Sequence, residues 1–495
     1  MSTPFKPTMP LRCPARIFLE LWREAVADGT AYLTNSIAAG SSFQGSLQRA
    51  LAQDDINVVC ESLERLRACR GIPGPSARGR KLAIMDAIDQ MYLAIHPRTL
   101  VPASSRLKRV PLPKWLADAA QLRVLADGWY VEDGLNRVIA RGPIRRRSRA
   151  LESVSADSIP DRFSALSVVP KTLPDSNGRQ ITIGHQIITS SGLYGVDPAP
   201  NPGAEKIVFV PVLESRAELT MDHRARGGVQ FVDCRAGAGI NPSERIIGAL
   251  EKESEIVIAI APEFTVTETQ ANELAVALLK APTQLAKLIV AGSGQTIATD
   301  ESLPWNEARA LNGFGKPLWR QRKLWPAAIL RDRAIEFGLP DPGPNKIFED
   351  TAAGSELLIV DVDHLGRFAI LICQDLVNPP IASDMVRQFQ PDWVVSPILD
   401  RGTDLGRWAH KASFNMSVDS RTRFLIACST ALAPTALTGS VPQHCALAVG
   451  PCDQDDDDEG RLVAALSAST VTPTYAVVTW RSDEKTWKKS TLSAN

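Results

Sequence analysis

The sequence predicts an α/β chain of two unlike parts. These are a basic, mostly helical N-terminal domain with a hairpin over residues 1–142 and an α/β domain over 203–482, with a linker and entry strands at 143–202 and a tail at 483–495. Three observations predict this. Apolar residues recur at helical spacing before residue 125, whereas after 203 short apolar runs alternate with helical stretches. Residues 1–170 hold 24 Lys+Arg against 16 Asp+Glu, a net of +8, which leaves 31 against 39, a net of −8, for 171–495. The whole chain is 44% hydrophobic and 22% charged, an ordinary globular composition, and its 495 residues exceed the roughly 100 to 200 of one domain.

In the first part, Ile17, Phe18, Leu21, Trp22, Ala25 and Val26 form a helical stripe that stops at Gly29. Ile56, Val59, Cys60, Leu63 and Leu66 form a second, after the Asp54-Asp55 cap and before Gly71. A third runs from Ile84 through Met85, Ile88, Met91 and Tyr92 to Ile95 and stops at Pro97; a fourth opens at Pro113 and carries Trp115, Leu116, Ala119 and Leu122. Residues 129–132 and 135–139 flank Asp133-Gly134, a pair that tolerates the positive φ of a type I′ turn, so a two-residue hairpin is expected there. Arg145, Arg146, Arg147 and Arg149 then open a polar stretch to about Gly178 that reads as linker.

In the second part the expected strands are 207–213, 256–261, 288–291, 357–362, 368–372, 393–397 and 424–428, with helices at 241–252 and 268–279. The longest strictly apolar runs, 256–261 and 368–373, are six residues each, far below the roughly 20 of a membrane-spanning helix. The N-terminal residues carry no apolar core of a signal peptide and the eight cysteines are scattered, which together predict a reducing cytoplasm. The acidic run 455–459 reads as a solvated loop.

Three polar residues stand at strand ends or in strand contexts. Glu263 follows the run 256–261 as Ala-Pro-Glu-Phe, Lys323 lies in Arg-Lys-Leu-Trp at 322–325, and Cys373 ends Gly-Arg-Phe-Ala-Ile-Leu-Ile-Cys-Gln-Asp at 366–375. Each alone has a plain reading: a surface carboxylate, a solvated cation, a buried inert thiol. In this order, the three contexts resemble the nitrilase, or carbon-nitrogen hydrolase, superfamily, and residues 305–323, 391–400 and 408–430 extend the likeness over roughly 203–482. The resemblance implies a nitrilase-like αββα sandwich that hydrolyses a non-peptide carbon-nitrogen bond, an amide rather than a nitrile, with no cofactor. It implies Cys373 as nucleophile, Glu263 as its base and Lys323 as the cation facing the oxyanion. The family's second glutamate would be Glu349, with Glu336 as the alternative.

The stretch from Lys323 to Cys373 is longer than usual, which bears on the choice of second glutamate; two further departures, Gln374 where an aromatic is frequent and an apparent insertion at 214–239, bear on the substrate. The resemblance further implies at least a homodimer, paired through 375–388 and 408–418 with Met385 and Phe414 in the contact. The competing reading is a nucleic-acid-binding or regulatory protein, in which the N-terminal helices, hairpin and arginine cluster bind a phosphate backbone and the second domain is an effector or scaffold. A dinucleotide reading of Gly237-Ala-Gly239 fails for want of the third glycine, where Pro242 stands, and His444, Cys445 and Cys452 make an incomplete metal-ligand set.

Overall fold

The computed structural model describes residues 12–29, 41–68, 76–96, 111–142, 159, 162–190, 192–297, 303–378, 380–420, 422–433, 444–451, 461–467, 473–482, 484 and 486–489. The chain divides into two compact units, 1–172 with 185–187 and 173–184 with 188–495.

The first unit contains α1 (Pro14–Asp28), α2 (Ser41–Leu51), α3 (Ile56–Ala68), α4 (Ala77–Leu93) and α5 (Lys114–Leu125), then β1 (Trp129–Glu132), β2 (Asn136–Ala140) and β3 (Leu166–Pro170). Pro14 opens α1, where its missing N–H costs nothing, and Gly29 closes it at φ 63°. Phe18, Leu21, Leu63, Ile84, Ile88 and Trp115 converge in one apolar core.

The four expected helices and the hairpin form, and the structure differs from expectation in three details. A fifth helix, α2, lies between two of the expected four; it buries only Leu47, Ala50 and Leu51, too sparse a stripe to register as a period. The hairpin forms, but Asp133 N–H donates to the Asn136 carbonyl at 2.9 Å, so Gly134 and Leu135 are its central residues. Gly134 does not adopt positive φ; instead the Asp133 carboxylate accepts the N–H groups of Leu135 and Asn136 at 2.8 and 2.7 Å. Finally, β3 lies inside the stretch read as linker and pairs antiparallel with β2. Asp89 of α4 fixes its start by accepting the N–H groups of Ser164, Ala165 and Leu166 at 2.8 to 2.9 Å. The cluster Arg145, Arg146, Arg147 and Arg149 lies outside the described residues, as does 455–459.

The second unit, which holds β4 (Thr172–Pro174) and β5 (Gln180–Ile188) apart from Thr172 and residues 185–187, continues with β6 (Ala204–Phe209), β7 (Leu219–Arg226), β8 (Val229–Ala236), α6 (Pro242–Leu250), β9 (Ile256–Ile260), α7 (Glu268–Lys280), β10 (Ala286–Gln295), β11 (Asn306–Asn312) and β12 (Pro317–Arg322). It continues with β13 (Ala328–Ile329), α8 (Arg331–Glu336), β14 (Ile347–Glu349), β15 (Glu356–Val362), β16 (Gly366–Ile370), α9 (Ile381–Phe389), β17 (Trp393–Ile398), α10 (Trp408–Ser420), β18 (Arg423–Cys428), β19 (His444–Pro451), β20 (Arg461–Ser467), β21 (Ala476–Arg481) and β22 (Thr486–Lys489). One sheet has the order β12-β11-β10-β9-β6-β21-β22, a second β20-β19-β18-β17-β16-β15-β5-β4, and a third, smaller one β13-β14-β8-β7.

The two large sheets meet through side chains: Trp319 of β12 lies 6.3 Å from Phe368 of β16, and the Arg423 guanidinium of β18 lies 5.6 Å from the Trp480 ring of β21. Ile246, Ala249 and Leu274 of α6 and α7 pack on the outer face of the first sheet with Val208, Ala259 and Ile289. Strands covered on both faces must be apolar throughout, which is why β9 reads Ile-Val-Ile-Ala-Ile with every residue buried. The second unit is thus a mixed α/β arrangement of two large sheets, a small sheet and helices. Among the described residues, no helix is long and apolar enough to cross a membrane.

The segment expected at a dimer contact is largely occupied within the chain. Leu376, Ile381, Met385 and Val386 are at most 1% exposed, so Met385 covers its own subunit's core and is not available to a partner. Phe414 is half-buried.

Candidate active site

Glu263 sits just beyond β9, in a loop that must pass very close to β10. Gly292, at φ 73°, makes that possible: a Cβ there would collide with the carbonyl of Pro262, and one at Gly294 with that of Val266. Ser293 completes the splice, donating its N–H to Pro262 O at 3.1 Å and accepting that of Thr265 at 3.1 Å. The pairing of β10 with β11 shifts register between Val290 and Ser293, the signature of a bulge at a strand that turns toward a site.

Lys323 follows β12 and is held by its backbone, with its N–H on Asn306 O and its carbonyl on Gly354 N–H, both at 2.8 Å. Cys373 follows β16 at the head of a 3-10 turn, Cys373–Val377, and adopts φ 49°. Phe264, next to Glu263, is likewise at φ 58°. Left-handed backbone at a residue with a side chain costs about 1–3 kcal/mol and persists where surrounding structure holds it, so its occurrence beside both residues marks an over-determined site. Glu349 ends β14, which pairs parallel with β8.

The structure brings these four residues to one cavity of about 340 Å³. The Lys323 ammonium donates to Glu263 Oε1 at 2.7 Å and to Glu349 Oε2 at 2.5 Å. Glu263 Oε2 accepts the Leu399 N–H at 3.0 Å, and Glu349 Oε2 accepts the Ala327 N–H at 2.5 Å. Glu336 is not part of this group; it lies on α8, ion-paired with Arg333 and Arg401.

Sequence reasoning missed two supporting residues. Asn306, fully buried, donates from one Nδ2 to Glu263 Oε1 and Glu349 Oε1, both at 3.0 Å, and so holds the two carboxylates in register. Asp375 accepts the N–H groups of Leu324 and Trp325 at 3.1 and 2.9 Å, which ties the backbone beyond Lys323 to the turn that carries Cys373. The sequence signal for each was its place in a quoted motif, Asn306 at the start of an expected strand within 305–323 and Asp375 two residues after the cysteine, which gave no partner for either side chain.

The electrostatics follow from burial. Burial raises the Cys373 pKa well above its ordinary value; the neighbouring Glu263 and Glu349 charges raise it further, against the opposing pull of Lys323. Burial also raises Glu263, with Lys323 opposing and Glu349 reinforcing. For Lys323, burial alone would lower the pKa, but Glu263 and Glu349 outweigh it and hold the ammonium charged. Burial pushes Asp375 up to about 7. Burial thus disfavours the Cys373 thiolate and makes Glu263 a stronger base, a pairing suited to proton transfer from the thiol to that carboxylate.

No protein-family model and no curated protein matches the chain. Solved structures do match. Saccharomyces cerevisiae Nit3, a member of branch 10 of the nitrilase superfamily, is 14% identical over 57% of this chain and 92% of its own, with a TM-score of 0.37. A Nesterenkonia amidase of the nitrilase superfamily is 12% identical over 59% of this chain and 95% of its own, with a TM-score of 0.36. A CN-hydrolase superfamily protein from Xanthomonas campestris is 14% identical over 53% and 91%, with a TM-score of 0.31. The solved structures that this chain resembles, over about 57% of its length, are thus nitrilase-superfamily and carbon-nitrogen hydrolase proteins.

Proposed function

We propose that the second unit is a hydrolase of non-peptide carbon-nitrogen bonds, acting on amides through Cys373. The observation that carries this reading is the buried ammonium of Lys323 clamped between Glu263 and Glu349 in the cavity that Cys373 lines. A structural ion pair would serve as well on a surface. Taking three charges out of water beside a thiol costs several kcal/mol each, offset only by their mutual pairing and hydrogen bonds, and this supports reading the cluster as a functional site.

The chemistry follows from the positions. As Cys373 Sγ attacks the amide carbon, its proton passes to Glu263, and the carbonyl π electrons move onto oxygen. The negative charge that develops there is stabilised by the Lys323 ammonium in a site with little water. Glu263 then gives its proton to the departing nitrogen, the carbon-nitrogen bond breaks, and an acyl thioester remains on Cys373. Water attacks that thioester with Glu263 taking its proton, and the carboxylic acid leaves with the thiol restored. Glu349 and Asn306 stay out of the bond changes; they keep Lys323 and Glu263 where the charge appears.

The test is ammonia release from a panel of primary amides, paired with intact-mass detection of an acyl adduct on Cys373. Wild type should release ammonia and carry the adduct transiently, while Cys373→Ala does neither. Turnover retained by Cys373→Ala would refute the assignment.

A further inference from the structure

The two segments that depart from the family pattern, 214–239 and the long stretch between Lys323 and Cys373, are one structural unit. They supply all four strands of the small sheet β13-β14-β8-β7, which belongs to neither large sheet. β14 is only three residues long and is held by β8 in the register Ile347↔Gln230, Phe348↔Phe231, Glu349↔Val232. The next residue, Asp350, donates its N–H to Val232 O at 3.0 Å, and its buried carboxylate pairs with Arg224 and Arg226 of β7.

The same sheet forms a wall of the cavity. Met221 of β7, Val232 of β8 and Ile329 of β13 line it, joined by Phe337 just after α8 and by Phe264 and Leu399 in the same apolar cluster. Outside the catalytic cluster, the charged residues on this lining are Arg333 and Asp400. They are matched to each other at 2.5 Å; Asp400 also accepts from Arg407 at 2.9 Å and from Trp408 Nε1 at 2.7 Å, and Arg333 from its other nitrogen donates to Glu336 at 2.7 Å. A charged group entering here would lose its water and find these partners already committed, whereas an apolar group would gain contact.

Resting on the hydrolase reading above, we infer that this added sheet selects the substrate: an uncharged primary amide whose acyl chain is apolar and seats against Met221, Val232, Ile329 and Phe337. A cavity of this size suits such a small ligand, and the leaving ammonia needs no pocket of its own, so the wall serves the acyl side.

The experiment measures kcat/KM for acetamide, propionamide, butyramide, pentanamide and hexanamide, with succinamate and 4-aminobutanamide as anionic and cationic analogues. Burying each methylene should raise kcat/KM roughly 4-fold, or about 250-fold across the series, with both charged analogues below pentanamide. Replacing Met221 and Ile329 together by Ala, both partly exposed and so tolerant of truncation, should cut the hexanamide-to-acetamide ratio about tenfold. Calorimetric binding of the same series to Cys373→Ala reads the wall without the chemistry. Hydrolysis with a flat series, or with a charged analogue preferred, overturns the selectivity and leaves the hydrolase reading intact. Affinity for Cys373→Ala that rises along the series while wild type hydrolyses nothing supports the selectivity and removes the hydrolase reading. Neither binding nor turnover overturns both.

Discussion

Replacing Lys323 by Met removes the ammonium at nearly constant side-chain length and leaves Glu263 and Glu349 facing one another. All three groups are at most 5% exposed, so water cannot take over the lost interaction. Removing one partner of a buried ion pair typically costs about 3–5 kcal/mol, a large part of the roughly 5–15 kcal/mol that holds a domain folded. The cost depends on pH in a defined direction. Burial already raises the Glu263 pKa in the wild type, with Lys323 opposing, so in the variant that opposition is lost and the folded pKa rises further above the unfolded value of about 4.3. A carboxyl raised in the folded state binds its proton more tightly there. Its effect on stability is therefore absent below the unfolded pKa and grows as pH rises through the folded one, by up to about 1.36 kcal/mol per pH unit. Lys323→Met should thus be destabilised by about 3–5 kcal/mol at pH 8 and by much less at pH 5. Urea unfolding of both proteins between these pH values, followed by tryptophan fluorescence, measures the difference. A loss equal at both pH values, or below about 1 kcal/mol at pH 8, would show that the carboxylates do not depend on the Lys323 charge.

Three further outcomes are expected. Glu349→Gln removes a negative charge that raises the Glu263 pKa; since Glu263 must be ionised to act as base, the acid limb of the kcat/KM profile should move to lower pH, and an unmoved or upward-shifted limb would contradict this. We propose that the arginine cluster contacts a phosphate backbone, in which case Arg145→Ala, Arg146→Ala and Arg147→Ala together should lower the slope of log affinity against log salt by about three for duplex DNA or RNA; no binding by wild type at low salt would end that idea. We also propose a homodimer, to be tested by light scattering at micromolar concentration. Phe414→Glu should weaken it, whereas Met385→Glu should unfold the second unit because that side chain is fully buried; a wild-type monomer would refute the pairing.

What was legible in the sequence follows from which forces act locally. The strand before Glu263, buried on both faces, appears as an unbroken apolar run and was read correctly, whereas the strand before Cys373 begins two residues ahead of the apolar run 368–372, because buried Arg367, paired with Asp361, belongs to it. Lys323 had no such local mark and was found only through the order of the motifs. Asn306 and Asp375 were not found, because their function lies in partners far along the chain: Asp375 accepts from Leu324 and Trp325, some 50 residues away, and no spacing rule reaches that far. The turn at Gly134-Leu135 was misplaced because the Asp133 carboxylate supplies locally what a left-handed residue would otherwise supply.

The shorter half of the small sheet, β13 and β14, was invisible for a related reason, and that reason bears on the site. β13 has two residues and β14 three, too few for any periodicity and too few to bury enough surface to stand alone. Glu349 therefore cannot be held against Lys323 by its own strand. It is held by β8, by the Asp350 N–H on Val232 O, and by the two arginines of β7 that neutralise the Asp350 carboxylate. The hairpin from 214–239 is thus structurally tied to the long segment before Cys373: loss of either leaves a buried carboxylate or a buried ammonium without its partner, at the several-kcal/mol cost of an unpaired charge. Two departures that look independent along the sequence must then change together, and any substitution that loosens Arg224 or Arg226 acts on Lys323 through Glu349.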